Sequence, residues 1–255
     1  MTVYDIQKAG AWKRMSAYLF DTILLGIVAV GVAFLLTVVF RYDAHVADRD
    51  GLLEKFEAEY GVELDITQSE YEEMTEAERT RYDDAYRAFV SDPEVNAKEA
   101  LIVSLTLLII VFGLLVSFLL LELLIPLKLG NGQTLGKKIF GVGVMRVDGV
   151  KISAFQLFVR SVLGKYTLET MLPIFLVLLF FFNVFPFACL VGLVFLALLQ
   201  LAFVLVTQYH TPIHDMIAGT LTVDLASQMI FDSAEEMTAY KQRIHAEMAQ
   251  KAEYR

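Results

Sequence analysis

The feature that most constrains this chain is an uncharged apolar run at residues 170–213, which is 44 residues long. An α-helix rises about 1.5 Å per residue, so one helix of this length would be about twice as long as the hydrocarbon core of a bilayer is thick. Asn183 and Pro186 lie inside the run and are typical of a turn. The run therefore predicts two membrane helices joined by a tight hairpin, with a single long tilted helix as the alternative.

Two other apolar segments are long enough to cross a membrane. Residues 17–40 contain one charged residue, Asp21, and residues 100–121 contain none. The second segment continues to Pro126 and carries Glu122 near its end. The sequence therefore predicts an all-α membrane protein with four transmembrane helices. An extracytoplasmic helical hairpin and a short cytoplasmic segment, made of a β-hairpin and an amphipathic helix, complete the predicted fold.

Basic residues set the predicted orientation. Lys8, Lys13 and Arg14 precede the first predicted helix, and the stretch between the second and third helices has seven basic residues against one acid, Asp148. The positive-inside rule places both segments in the cytoplasm. With four transmembrane helices, both termini are then cytoplasmic and residues 41–99 are extracytoplasmic.

Acidic residues are concentrated in that outer segment. The whole chain has a net charge of −9, whereas residues 41–99 hold 18 acidic and 7 basic residues, which leaves about +2 for the remainder. This balance argues against nucleic acid as a partner. Apolar spacing predicts one helix that stops at Gly61 and another at residues 69–90. We interpret the segment as a small helical hairpin, with a platform that binds a partner or a cation as the alternative.

The loop after the second predicted helix is the most patterned part of the chain. Residues 139–147 are β-prone, and Asp148 followed by Gly149 favours a tight hairpin. Residues 153–165 read as an amphipathic helix that is expected to lie in the membrane interface. Lys138 stands where a phosphate loop needs serine or threonine, so nucleotide binding is not predicted.

The C-terminal tail is predicted to form an amphipathic cytoplasmic helix, because Ser233 and Glu236 have the spacing of a capping box. The chain then divides into six parts. They are the N-terminus with the first transmembrane helix (1–40), the acidic insert (41–99) and the second transmembrane helix (100–127). The cytoplasmic interfacial segment (128–166), the transmembrane hairpin with a His-Asp motif (167–223) and the tail helix (224–255) follow.

No catalytic or cofactor site emerges from the sequence. The single cysteine, Cys189, lies in the long apolar run and is interpreted as a packing residue. His210 and His214 are four residues apart beside Asp215, but Pro212 between them and the lack of a third close ligand argue against a metal site. We therefore predict no cofactor and no enzymatic activity.

Three motifs in chain order resemble those of the RDD family of bacterial membrane proteins. They are the basic pair Lys13-Arg14 followed by Asp21, the Gly-Gln-Thr-x-Gly-Lys stretch that begins at Gly132 and runs into β-prone residues up to Val147, and the His-Asp-x-x-Ala-Gly-Thr motif from His214 to Thr220. The resemblance covers residues 10–223 and implies a multi-pass protein of the bacterial inner membrane. It also implies exchange of small cations and protons, a role suggested for some members. The acidic insert and the tail helix depart from the family pattern.

Two carboxylates lie inside the predicted membrane helices, where a charge costs about 2.5–3.5 kcal/mol at mid-helix. Asp21 and Glu122 are expected at similar depth near the cytoplasmic face. If they face each other, their repulsion would favour uptake of a proton by one of them, which suits proton exchange. The alternative is that each one pairs separately or reaches the interface.

The basic residues of the motifs offer partners for these acids. Arg14 is predicted to pair with Asp215 across the cytoplasmic edge, because a pair between Arg14 and Asp21 within one helix would be strained. Asp21 would then accept a hydrogen bond from Arg160, Lys137 or a backbone group. A purely structural role for Arg14, Asp21 and Asp215 remains the alternative.

The leading functional interpretation is movement of a small cation or proton. Asp21 and Glu122 would relay the charge, and Arg14, Asp215 and Arg160 would form an ionic latch. The alternative is a non-catalytic membrane scaffold or accessory subunit that recruits partners through the acidic insert and the tail helix. The expected partners are the lipid bilayer, a second copy of the chain or another membrane protein, and a monovalent cation.

Overall fold

The computed structural model describes residues 6–207 and 210–253, and it is 76% helical. Within these residues, four helices are long and apolar enough to cross a membrane. We call them the first to fourth spans, and they are Ala11–Val39, Pro93–Leu129, Ala154–Phe181 and Pro186–Val206. The predicted all-α membrane fold with four transmembrane helices is confirmed.

A tight turn separates the third span from the fourth. The third span ends at Phe181, and Asn183 and Phe185 then adopt left-handed backbone conformations with φ of +57° and +48°. Pro186 begins the fourth span, where its missing N–H group would have no partner in the first turn of a helix. The alternative of one long tilted helix is therefore wrong.

The chain forms two compact units: a small unit of residues 28–116 and a large unit of residues 1–27 and 117–255. In the small unit, Phe56 meets Phe89 edge-on with ring centroids 5.6 Å apart, and Ala85 is fully buried. The unit contains three helices outside the spans, and the first and third of them in chain order therefore pack against each other. These helices are Tyr42–Tyr60, Gln68–Glu73 and Glu76–Ser91.

The helix boundaries in the small unit match the prediction in part. Gly61, with φ of +63°, ends the helix that was expected to stop there. The single helix predicted at residues 69–90 is wrong, because Met74 has an extended backbone and divides it. Thr75 then caps the next helix through a capping box with Glu78.

A two-stranded antiparallel sheet lies in the large unit. Strand β1, Val142–Arg146, pairs with strand β2, Thr220–Asp224. The predicted β-hairpin is therefore wrong in the main partner of β1. The turn at Gly149 forms, but the residues after it make a single bridge to β1 among the described residues, between Lys151 and Met145. The chain begins a helix soon after that bridge, so no strand is left to pair with β1.

The third span differs from the prediction in its continuity. Residues 153–165 do not form a separate interfacial helix; they begin the third span, which Ser153 caps by accepting a hydrogen bond from the Gln156 N–H over 3.2 Å. The third span is π-helical over Val159–Met171, and the second span is π-helical over Leu119–Leu124. Such wide turns often occur at functional sites.

The tail folds as an α-helix, Ala234–Glu253. The Ser233 hydroxyl accepts a hydrogen bond from the Glu236 N–H over 3.1 Å, which is half of the predicted capping box. Phe231 contacts Tyr240 with ring centroids 5.3 Å apart, so the start of the tail helix packs against the residues that precede it.

Candidate functional site

A buried ion pair joins the third span to the short helix Ile213–Ala218. Arg160 Nε donates to Asp215 Oδ1 over 2.5 Å, and the two side chains are only 3% and 1% exposed. Thr220 donates to the same carboxylate oxygen over 2.8 Å, and Thr222 donates to the other over 3.2 Å. Burial alone would raise the pKa of Asp215, but the Arg160 guanidinium holds that pKa below its usual range. Asp215 is therefore an anion fixed from both the third span and β2.

His214 connects this ion pair to a second carboxylate. Arg160 Nη2 lies 3.1 Å from His214 Nε2, and His214 Nδ1 lies 2.8 Å from each oxygen of Glu169. A guanidinium group can only donate, so Nε2 accepts and the ring proton resides on Nδ1, from which it is donated to Glu169. Burial lowers the pKa of His214, which favours this neutral ring.

Glu122 of the second span is bound by Lys165 of the third span. The ion pair joins Lys165 Nζ to Glu122 Oε1, and the carboxylate side chain is 4% exposed. The other oxygen, Oε2, is buried and has no hydrogen-bond partner among the described residues. A buried acceptor without a partner costs about 1–3 kcal/mol, so this oxygen marks a place where a proton, a water molecule or a cation would be stabilised.

Asp21 of the first span is held by neutral donors. The Thr134 hydroxyl donates to Oδ2 over 2.5 Å, and the Gly136 N–H donates to Oδ1 over 2.8 Å. Both donors belong to the start of the short helix Leu135–Ile139, whose first N–H groups lack partners within the helix. A Cβ atom at Gly136 would lie 2.5 Å from the carbonyl oxygen of Ala17, so glycine permits this close approach. Of the donors predicted for Asp21, the backbone group is the one observed.

The predicted pair between Arg14 and Asp215 is wrong. Asp215 is already paired with Arg160, because the third span continues through residues that were expected to form a separate helix. Arg14 Nη1 instead donates to the carbonyl oxygen of His210 over 2.9 Å. Its Nε is buried without a hydrogen-bond partner in the part of the chain that the structure describes.

Two cavities of about 320 Å³ each lie beside these charged groups. We call the first the acidic cavity, because Asp21, Glu122 and Glu169 line it together with one cation, Lys165. Asp21 and Glu122 both line this cavity, which the hypothesis that they face each other requires. Each carboxylate has its own donors, however, so the geometry does not require them to share a proton.

We call the second the cationic cavity, because basic side chains outnumber acidic ones in its wall. Burial lowers the pKa of Lys137 in this wall to about 7, and the Arg160 guanidinium acts in the same direction. The charged residues that line the cavity are Arg14, Asp21, Lys137, Arg160, Lys165 and Asp215.

Sequence reasoning missed Glu169 and Lys165 as ionic partners, and it missed the role of His214 as the bridge between Arg160 and Glu169. It also missed the hydroxyl donors Thr134, Thr220 and Thr222. Arg160 and Lys165 are five residues apart, a separation that puts two side chains on different faces of an ordinary α-helix. The π-helical winding of Val159–Met171 widens the turn and brings both onto the site. The available signal was the position of Lys165 and Glu169 directly before the long apolar run, where a charge needs a partner.

The lowered pKa of His214 gives a testable pH dependence. The folded protein binds a proton at His214 more weakly than the unfolded chain, whose pKa is near 6.5, so stability is present above that pH and falls as the pH drops below it. We expect the thermal midpoint of the detergent-solubilised protein to decrease steadily from pH 7 to pH 5. The groups that face the ring are Glu169, Arg160 and Asp215.

His214→Gln is the control for this prediction. A glutamine can donate to Glu169 and accept from Arg160, but it does not titrate. The decrease between pH 7 and pH 5 is expected to flatten in this variant. An equally steep decrease in the parent protein and the variant would assign the pH dependence to other groups.

The residues described here contain no group of three or more histidine, cysteine, aspartate or glutamate side chains placed to hold a metal ion. His210 and His214 face different partners: His210 Nδ1 lies 2.9 Å from the carbonyl oxygen of Val204, whereas His214 binds Glu169.

Comparison with known proteins gives one family. The sequence model of the RDD family matches residues 8–219, which is most of the chain. No curated protein and no solved structure matches the chain.

Proposed function

We propose that this chain, which belongs to the RDD family, moves a monovalent cation or a proton across a bacterial inner membrane. The proposal assigns both termini to the cytoplasm and residues 41–99 to the other side, because basic residues concentrate around residues 8–14 and 128–165. It assigns no enzymatic activity. Four spans make a narrow pathway, so a second copy of the chain is expected to complete it.

The observation that carries the proposal is the unpaired Oε2 of Glu122 in the acidic cavity. Three carboxylates and one ammonium group line this cavity, which gives its wall a net charge of −2. Small hard cations bind oxygen ligands, and a carboxylate oxygen without a hydrogen bond is such a ligand. The cavity therefore favours a cation or a proton over a neutral or anionic occupant.

Glu169 links cation binding to proton binding. It lines the acidic cavity and also accepts the hydrogen bond from His214 Nδ1. A cation beside Glu169 would repel an imidazolium at His214, and a protonated His214 would repel the cation. Binding of the two is then mutually unfavourable, which is the thermodynamic requirement for exchanging one for the other.

The test is pH-dependent cation flux in proteoliposomes that contain the purified full-length protein. Glu122→Gln keeps the shape of the side chain and removes its charge, and we expect it to reduce flux at least tenfold. Asp21→Asn is expected to reduce flux as well, because it removes a second negative charge from the same cavity. The matched control is Glu59→Gln, an exposed carboxylate of the small unit, which is expected to leave flux unchanged. No flux in the parent protein, or equal flux in parent and Glu122→Gln, would contradict the proposal.

A scaffold or accessory subunit is the second candidate, and one observation favours it. The charged contacts of the candidate site each join two segments that are distant in sequence, so these charges also fix how the helices pack. On this proposal the acidic insert and the tail helix would recruit a membrane partner. Deletion of residues 232–255 should then remove a co-purifying protein, while the parent protein shows no flux.

A further inference from the structure

The cationic cavity carries more positive than negative charge. Four basic side chains and two carboxylates line it, so its wall has a net charge of +2 when histidine is neutral. Arg160 is bound to Asp215, and Lys165 is bound to Glu122. Neither Arg14 nor Lys137 has a carboxylate in ion-pair contact among residues 6–207 and 210–253.

Arg14 and Lys137 could each bind an anion. Arg14 uses Nη1 for the His210 carbonyl oxygen, while its buried Nε has no partner in the described residues. Lys137 lies where burial and Arg160 both oppose its charge, and they lower its pKa to about 7. An anion in the cavity would satisfy the guanidinium donor and would favour the charged form of Lys137.

The rim of the same cavity is apolar. Met15 and Tyr18 of the first span line it and are 54% and 61% exposed, and Val204 of the fourth span lines it as well. These residues belong to helices that are long and apolar enough to cross a membrane. A ligand that carries both a negative charge and hydrocarbon would match the whole lining, whereas a free inorganic anion would match only its charged part.

We propose that the cationic cavity binds the phosphate headgroup of an anionic phospholipid, with Arg14 and Lys137 against the phosphate and Met15 and Tyr18 along the acyl chains. Guanidinium groups bind phosphate oxygens through charge-assisted hydrogen bonds. Basic pockets between membrane helices on the cytoplasmic side hold lipid headgroups by the same chemistry. Tyr18, Asp21 and Lys165 line both cavities, whereas Arg14 and Lys137 line the cationic cavity and not the acidic one. The two proposed phosphate ligands therefore do not belong to the acidic cavity, so the lipid proposal stands whether or not the chain transports a cation.

The test measures lipid binding to the purified full-length protein by native mass spectrometry in a neutral detergent. Phosphatidylglycerol is compared with phosphatidylcholine of identical acyl chains. We expect the parent protein to retain phosphatidylglycerol at least tenfold more tightly than phosphatidylcholine. Equal retention of both lipids would overturn the proposal.

Two paired variants separate a specific site from general attraction. Arg14→Gln with Lys137→Gln removes both unpaired cations of the cavity, and Lys13→Gln with Lys138→Gln removes two neighbouring charges that do not line it. We expect the first pair to lose roughly tenfold in affinity for phosphatidylglycerol and the second to change by less than twofold. Equal losses in both pairs would overturn the site.

Two further arms keep the result decisive. Lys137→Arg preserves the charge and is expected to retain phosphatidylglycerol, so a loss of binding caused by misfolding of the glutamine variants can be recognised. Inorganic phosphate at millimolar concentration is expected neither to raise the thermal midpoint nor to displace the lipid. Displacement by phosphate would identify a free anion as the occupant and contradict the lipid assignment.

Discussion

Replacing Arg160 by methionine is expected to lower the free energy of unfolding by about 3–5 kcal/mol, because it leaves a buried carboxylate without its cation. Asp215 is 1% exposed and would keep only the hydroxyl donors of Thr220 and Thr222. His214 would also lose the donor that fixes its tautomer. The measurement is chemical denaturation of the detergent-solubilised protein, followed by the loss of helix signal.

Arg146→Met is the matched control for this prediction. Arg146 also pairs with an aspartate, Asp148, over 2.6 Å, but both side chains are more than 40% exposed. An exposed ion pair contributes about 0–1 kcal/mol, so a change within that range is expected.

The double variant Arg160→Met with Asp215→Asn tests whether the unpaired carboxylate causes this loss of stability. It removes both charges, and it is expected to recover a substantial part of the stability that Arg160→Met loses. A double variant as unstable as the single one would show that packing of the arginine, rather than the unpaired carboxylate, sets the effect.

The membrane helices could be predicted from the sequence because one physical requirement determines them. A segment that crosses hydrocarbon must satisfy its backbone internally and must be apolar over about 20 residues, and both conditions can be read from composition and length. Asn183 and Pro186 likewise indicated the turn that separates the third and fourth spans. The family resemblance was read from the same sequence and is confirmed over residues 8–219.

The partners of the buried charges could not be predicted in the same way. Arg160 reaches Asp215 because the third span is continuous and partly π-helical, and neither property follows from a 3.6-residue periodicity. Asp21 accepts hydrogen bonds from Thr134 and Gly136, which are 113 and 115 residues away in sequence, so no local spacing indicates the contact.

The sheet was mispredicted for a related reason. The turn at Gly149 indicated a local hairpin, and that turn does form. β1 nevertheless pairs with β2 over five residues, from Val142↔Asp224 to Arg146↔Thr220. This pairing brings Thr220 and Thr222 to the carboxylate of Asp215, so the sheet that local signals missed is part of the candidate site.

Gly164→Ala is expected to lower the free energy of unfolding by about 3 kcal/mol, at the upper end of the usual cost of overpacking. A Cβ atom at this position would lie 2.6 Å from the Cβ of His214 and 2.8 Å from its Cα. The obstacle is backbone and the first side-chain atom, neither of which can turn aside. The helix Ile213–Ala218 would have to move away from the third span, and His214 would then lose its contacts with Glu169 and Arg160.

Three glycines of the large unit form a graded series for testing this effect. Gly26 has no atom within 4 Å of an added Cβ, and Gly192 meets only the flexible end of Leu176 at 3.3 Å. We expect Gly26→Ala to be neutral or slightly stabilising, since alanine favours helix over glycine by up to about 1 kcal/mol, and Gly192→Ala to change stability by less than Gly164→Ala. Because only the contact of Gly164 involves His214, the pH dependence of stability between pH 7 and pH 5 should change in Gly164→Ala alone. Equal stability across the three variants would mean that the third span does not approach His214 as closely as the structure places it.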